Sequence, residues 1–444
     1  MQNMKKVLFI TYPFPPMGGA GVQRSVKFIK YLPDFGWQSS VLTVEDPPTP
    51  VYDESLLNEI PDTTPIYRVY SLEPTRLIQW ISRLKGRNRS DNEVGLNKGS
   101  DRKGMSGLPP WAIRFIQAFF LPDEKIGWKR YAVSKGSSIV EKDDIDVIFS
   151  SGPPFTSHMV GMKLKQQTGL PWVAEFRDPW VGNFFLRPQT PLHDYLIKRT
   201  ERSVVKNADV VINVMPSVTD DYKKRYPEYE DKFVTIYNGY DVADFDFEAP
   251  APDESFLIFH MGTFYGDRNP RKFLSALKEL LNERPEATSD IKVKFMGADD
   301  GETEKIVHEL GLGEVVDLIP YQEHDICLRA MVKARLLLLI ISSSGESRNH
   351  LAAKTFEYLA AKIPILALVG EGDAARLIIE TESGVVVDPE SIDEIKEALK
   401  ILYLDYLEGI PSKVGLDEEI EKYDRRSLTR ELAMLLDIVN ENRR

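Results

Sequence analysis

The stretch "HLAAKTFEYLAAKIPILALVG" (350–370) carries a lysine and a glutamate three residues apart, Lys354 and Glu357, in a helix-like run that leads straight into an apolar strand. Residues at that spacing share a helix face. Near a helix N-terminus, an ammonium adds a point charge for phosphate. A carboxylate one turn on can accept hydrogen bonds from two adjacent hydroxyls, as a ribose presents. The plainer account is an exposed Lys–Glu pair that contributes about 0.2–0.5 kcal/mol. A second cluster, "GTFYGDRNPRKF" (262–273), follows another apolar strand. Gly262 would let the backbone approach a ligand, and Arg268 could grip a phosphate with two parallel hydrogen bonds. Lys272 or Lys354 would be the second cation. A solvated helix start is the alternative, above all for Arg271.

The first half offers three more groups. In "ITYPFPPMGGAGVQRSVKFIKYL" (10–32), Gly18 and Gly19 lie between a strand and a helix, with Gln23 and Arg24 at the helix start. "EFRDPW" (175–180) places Arg177 and Asp178 at a strand's carboxyl end, where open α/β sheets bind ligands. Asp178 could meet a sugar hydroxyl or an attacking nucleophile, or form a buried structural pair with Arg177. His158, in "SSGPPFTSH" (150–158), begins a helix as a cap, as packing, or as a ligand-facing residue.

The elements that must hold these groups are legible as alternation. Val7–Ile10, Val41–Val44, "VIFSS" (147–151), "WVAEF" (172–176) and "DVVINV" (209–214) are short apolar runs separated by helical stretches. Continuous apolar strands alternating with helices predict an α/β fold with parallel sheets covered on both faces. The pattern restarts at "FLIFHMG" (256–262) and continues through "IKVKFMG", "ARLLLLIIS", "IPILALV" and "GVVVDP". Two such halves are expected, 1–240 and 241–420, with the join near 237–255 and a closing helical segment at 421–444. Residues 83–107 are polar, glycine-rich and without periodicity, and residues 76–103 carry eight basic against three acidic side chains. That segment is either a mobile loop or, with its apolar flanks, a docking surface for anionic lipid over 76–120.

Composition narrows the class. A chain of 444 residues suggests two domains. The formal net charge of −12 argues against a nucleic-acid binder. With the single Cys327, neither an internal disulfide nor a cysteine-based zinc site is expected. The apolar run near the start is too short for a signal-peptide core, and Leu336–Ile341 is far short of a membrane span, so a cytoplasmic protein is expected.

"KTFEYLAAKIPIL" resembles the donor-site segment of family-four glycosyltransferases, whose GT-B fold has two Rossmann-like domains facing a central cleft. The glycine loop after the first strand, "EFRDPW", "YNGYD" (237–241), "HMGTFYGDRNPRKFL" (260–274) and the tail "YDRRSLTRELAMLLDIV" are similar in order and spacing. The tail resembles the family's closing helix, which crosses back to the first domain. The resemblance implies a retaining, metal-independent enzyme of bacterial capsule, O-antigen or exopolysaccharide type, needing no cofactor. Its substrates would be a UDP- or GDP-sugar and a lipid-linked or glycan acceptor, met at the inner face of the membrane. It implies a donor site of Gly18, Gly19, Gly262, Thr263, Arg268, Lys272, Tyr321, Lys354 and Glu357, and an acceptor side of Gln23, Arg24, His158, Arg177 and Asp178. Arg268, Lys272 and Asp178 would be closest to the chemistry. Tyr321 either packs near the nucleotide base or is ordinary core.

The sequence also departs from the family pattern. Asn349 stands where many relatives carry a first glutamate, Lys362 where a glycine is usual, and Thr263 where an arginine is usual. Three rival readings remain. A hydride-transfer enzyme is disfavoured because "GGAG" is not the dinucleotide fingerprint and Glu45 and Asp46 fall late. A UDP-sugar epimerase shares the two-domain fold, and a non-catalytic sugar-binding scaffold would suit Asn349 and Lys362.

Overall fold

The structure, a computed structural model, describes residues 4–46, 52–73, 121–183, 190–248, 250–264, 268–297, 301–341, 351–411 and 414–443. The basic stretch 76–120 lies outside the described residues, as does Asn349. The chain forms two compact units, one of residues up to 238 together with 425–444, the other of residues 239–424.

The first unit holds seven strands: β1 (Lys5–Thr11), β2 (Trp37–Val44), β3 (Ile66–Val69), β4 (Val147–Gly152), β5 (Trp172–Phe176), β6 (Val210–Asn213) and β7 (Phe233–Thr235). They pair in the order β3-β2-β1-β4-β5-β6-β7, and every pairing is parallel. Helices α1 (Ala20–Tyr31), α2 (Lys129–Asp143), α3 (Thr156–Thr168), α4 (Pro191–Asn207) and α5 (Pro216–Arg225) connect them. Because strands such as β1 and β4 are covered on both faces, their centres are apolar without alternation. Val7 to Ile10 and Val147 to Phe149 are fully buried. Local signals start the helices: Thr190 accepts from the amide of His193 at 3.1 Å, with Pro191 in the first turn of α4.

The second unit holds β8 (Phe256–Met261), β9 (Ile291–Met296), β10 (Val316–Ile319), β11 (Leu336–Ile340), β12 (Ile365–Leu368) and β13 (Gly384–Val387), in the order β10-β9-β8-β11-β12-β13. Again all pairings are parallel. Helices α6 (Arg271–Glu283), α7 (Glu302–Glu309), α8 (His324–Met331), α9 (Lys354–Ala360), α10 (Asp373–Glu380) and α11 (Ile392–Glu408) cover it. On α6, Phe273, Leu274, Leu277, Leu280 and Leu281 recur at helical spacing and are buried in one core cluster with Ile258, Val293 and Leu338. Each such side chain contributes roughly 1.5–3 kcal/mol.

Helix α12 (Arg425–Glu441) follows the second unit in sequence but belongs to the first. Leu428, Leu432 and Leu436 join the cluster of Val22, Val26 and Ile29 from α1. Trp37 Nε1 donates to Asp437 at 3.0 Å, and Arg426 pairs with Asp34 at 2.8 Å. The two parallel sheets expected from the sequence are therefore present, one in each unit.

Candidate functional site

In the second unit the charged groups gather where β8 ends. Tyr358 and Lys354 tie α9 to that end: the Met261 amide donates to Tyr358 Oη at 2.8 Å, and Lys354 Nζ donates to the Met261 carbonyl at 2.8 Å. Thr355, Phe356, Tyr358 and Leu359 are buried, which fixes the helix's rotation and leaves Lys354 and Glu357 on one face. Lys354 Nζ also lies 3.0 Å from His260 Nε2. Burial, with nearby Arg268 adding and Glu357 opposing, pushes the lysine down to about 7. His260 is held well below its ordinary value by burial and then by Lys354, against the hydrogen bond to Leu338.

Gly262 follows directly, with φ +118°, a conformation glycine adopts without strain. A Cβ there would stand 3.3 Å from Lys354 Nζ. The ends of β8 and β9 approach so closely that a Cβ on Gly297 would fall 2.5 Å from the Gly262 carbonyl oxygen. One turn along α9, Glu357 Oε1 lies 2.8 Å from His324 Nε2, the first residue of α8. Cys327, on the same short helix, is buried, and its thiol is pushed up to about 11 by burial and then by Glu357. The arrangement is a cation pair beside a glycine bend, with a carboxylate one turn away.

Of the residues predicted to bind the donor, the structure brings Gly262, Arg268, Lys354 and Glu357 together. Thr263 is exposed beside them. Tyr321 is 56% exposed after β10, so it is not core. The Lys272 ammonium lies 3.6 Å from the Glu390 carboxylate and is substantially exposed, while Arg271 pairs with Glu309 at 2.9 Å. Both follow from the buried stripe of α6, which turns its polar residues to solvent. Lys362 adopts φ +52° and meets Asp417 at 2.7 Å on the surface.

The first unit uses its charges differently. Gly19 precedes α1 with φ +108°, and its carbonyl accepts from the Val22 amide at 2.9 Å. Gly18 is partly buried before it, and Gln23 is partly buried on α1. Arg24 is corrected as an acceptor contact. It is fully buried, its Nε is 2.8 Å from Glu175 Oε1, and it donates to the carbonyls of Ile236 and Tyr237. Glu175 Oε2 accepts from Ser151 at 2.6 Å, and Ser151 accepts from Arg177 at 2.8 Å. Arg177 also donates to the Pro153 carbonyl, and a Cβ on Gly21 would sit 3.3 Å from its guanidinium. Burial lowers Arg177, while Glu175 and Asp178 oppose that; burial raises Asp178, against the pull of Arg177.

His158 takes the packing alternative and not the ligand-facing one. It is fully buried, bonded through Nδ1 to Ser150 at 2.9 Å and stacked on Phe176 at 4.3 Å. Burial, with Arg177 adding, pushes it down to about 3, so it is neutral packing.

Sequence reasoning missed His260, His324, Tyr358 and Gly297. A histidine inside the otherwise apolar "FLIFHMG", one residue from a glycine bend, was the available signal for His260. Nothing local marked His324, whose partner lies 33 residues away.

The structure is similar to a glycosyltransferase from Rickettsia africae ESF-5, at 14% identity and a TM-score of 0.65, covering 99% of this chain and 100% of that one. It is similar to WaaG, a glycosyltransferase involved in lipopolysaccharide biosynthesis, at 14% identity and a TM-score of 0.56, covering 97% and 99%. It is also similar to S. aureus TarM in complex with fondaparinux, α-GlcNAc-glycerol and UDP, at 12% identity and a TM-score of 0.58, covering 98% and 100%. These likenesses define the class, an α/β protein of the GT-B fold with two Rossmann-like domains. Residues 241–424 match the family model of group 1 glycosyl transferases, and residues 92–244 match that of glycosyltransferase family 4. The chain belongs to the family-four GT-B glycosyltransferases. No curated protein matches the chain.

Proposed function

We propose that this glycosyltransferase moves a sugar from a UDP- or GDP-sugar to a lipid-linked or glycan acceptor, with retention of anomeric configuration, in cell-surface polysaccharide synthesis. The observation that carries the donor reading is the half-buried Lys354 ammonium against Gly262, with Arg268 in electrostatic reach and Glu357 one turn on. As the glycosidic bond breaks, negative charge grows on the β-phosphate. Cations fixed beforehand stabilise that charge without reorganisation. Lys354 and Arg268 meet the diphosphate, and Glu357 accepts from the ribose hydroxyls. We propose a metal-independent site in which these side chains supply the charge a divalent ion would otherwise bring.

With retention, the departing phosphate oxygen can take the acceptor's proton, so no separate protein base is required. Asp178 and Gln23 are the acceptor-side candidates left in the first unit, and the bend at Gly18 and Gly19 stays a donor-side candidate. Surface-polysaccharide synthesis is supported by the likeness to WaaG, a glycosyltransferase involved in lipopolysaccharide biosynthesis. Among the described residues no helix is long and apolar enough to cross a membrane. A cytoplasmic enzyme that touches anionic lipid through the basic stretch 76–120 fits a lipid-linked acceptor.

A thermal-shift screen of UDP, GDP, ADP and their sugars tests the donor reading, because a ligand that binds only the folded state raises its apparent stability. One base family should stabilise the protein, and EDTA should leave turnover unchanged. The anomeric signal of the product by NMR tests retention. Binding without hydrolysis or transfer to any acceptor would favour a non-catalytic scaffold.

A further inference from the structure

His260 is a buried histidine within a core strand, and its two ring nitrogens face different partners. Nδ1 lies 2.8 Å from the Leu338 carbonyl on β11, and Nε2 lies 3.0 Å from Lys354 Nζ on α9. A carbonyl oxygen only accepts, so Nδ1 carries the proton. Nε2 of the neutral ring then offers a lone pair, and Lys354 donates to it. The ring is fixed in that pose by Phe264, stacked at 4.3 Å, and by Phe295, edge-on at 6.0 Å.

We propose that His260 is a positioning residue: together with the Met261 carbonyl it occupies two of the three Lys354 N–H directions and aims the third at the donor's diphosphate. This rests on the donor reading above. Both holding acceptors are neutral, so they fix the ammonium's direction without cancelling its charge. When Lys354 loses its proton, the same two contacts persist, but the third direction presents a lone pair to the phosphate instead of a donor. Among the described residues, the groups that face Lys354 are His260 and Arg268 from β8 and the segment after it, and Glu357, itself paired to His324, from α9. Of these, His260 alone accepts a hydrogen bond from the ammonium, and a neutral acceptor favours the charged amine. Removing it therefore moves the loss of donor affinity to lower pH.

The test is calorimetric titration of the full chain with UDP-glucose and GDP-mannose, whose diphosphate diesters keep a constant charge from about pH 6 to about pH 8.5. In the wild type the Kd should rise with pH across that window, since the ammonium binds and the amine does not. His260→Phe keeps the ring and its stacking but removes both nitrogens. It should raise the Kd about tenfold and shift the pH midpoint downward. His260→Gln, which returns an acceptor near the Nε2 position, should recover most of the affinity and restore the midpoint. If His260→Phe binds as the wild type does with the same pH profile, the positioning role is overturned while the donor reading stands. Equal loss in both variants without a midpoint shift means a packing role only and also overturns it. If neither sugar nucleotide binds the wild type, the donor reading falls, and this proposal with it.

Discussion

Both units set charged side chains behind the ends of parallel strands, yet the two sets are held in opposite ways. In the first unit, Arg24 is met by the Glu175 carboxylate and by backbone carbonyls, and Glu175 is shared onward through Ser151 to Arg177. In the second, the two hydrogen-bond acceptors of Lys354 among the described residues, His260 and the Met261 carbonyl, are neutral. A cation neutralised within its own unit acts as a strut between strand and helix. A cation held by neutral acceptors keeps its field for whatever arrives. Burial of the second kind depresses the lysine, as it does here, and an incoming diphosphate reverses that depression.

The strut side is broken most severely by Arg24→Met. It leaves Glu175 buried without its cation, which costs about 3–5 kcal/mol. Urea unfolding should show that loss, while donor affinity in refolded protein stays as in the wild type. A variant of undiminished stability would remove the distinction drawn between the two units. On the other side, Arg268→Ala should lower kcat about 100-fold or more, because it removes charge placed where the leaving group develops it. An unchanged kcat would leave Lys354 as the site's only acting cation. Glu357→Ala should weaken donor binding about ten- to a hundredfold at constant fold, the worth of hydrogen bonds to a charged group. Calorimetry with an unaltered Kd would take Glu357 out of the ribose contact and leave it as the partner of His324.

This contrast explains what the sequence could convey. The alternation of apolar runs and helices is local, and so the two parallel sheets were legible. Lys354 and Glu357 were legible for the same reason, since their spacing and the strand that follows lie within one short stretch. Arg24 and Arg177 looked equally available, and sequence cannot separate them from Lys354, because the partners that consume Arg24 lie 151 and 212 residues away. The surroundings of Lys272 were not legible for a different reason. The rotation of α6 is set by which of its residues enter the core, and a polar residue one position from a buried phenylalanine can face either the site or solvent. His260 escaped notice because a lone histidine in an apolar strand has no local marker of its two partners. The departure at Lys362, by contrast, has a backbone cost that the sequence only hinted at.

Lys362 adopts φ +52° at the turn between α9 and β12, where the family usually has glycine. For a residue with a Cβ the left-handed region costs roughly 1–2 kcal/mol, and glycine avoids that cost but loses about 0.5–1 kcal/mol more chain entropy on folding. The ion pair with Asp417 is exposed on both sides, so screening leaves it little worth. Lys362→Gly should therefore stabilise the protein slightly, by about 0.5 kcal/mol, with donor Kd and kcat unmoved. Asp417→Asn isolates the pair without touching the backbone and should change the urea midpoint very little. A destabilised Lys362→Gly together with a destabilised Asp417→Asn would show that the surface pair outweighs the strained turn. The turn would then be another place where this chain uses an internal pairing, as the first unit does, rather than an unneutralised charge.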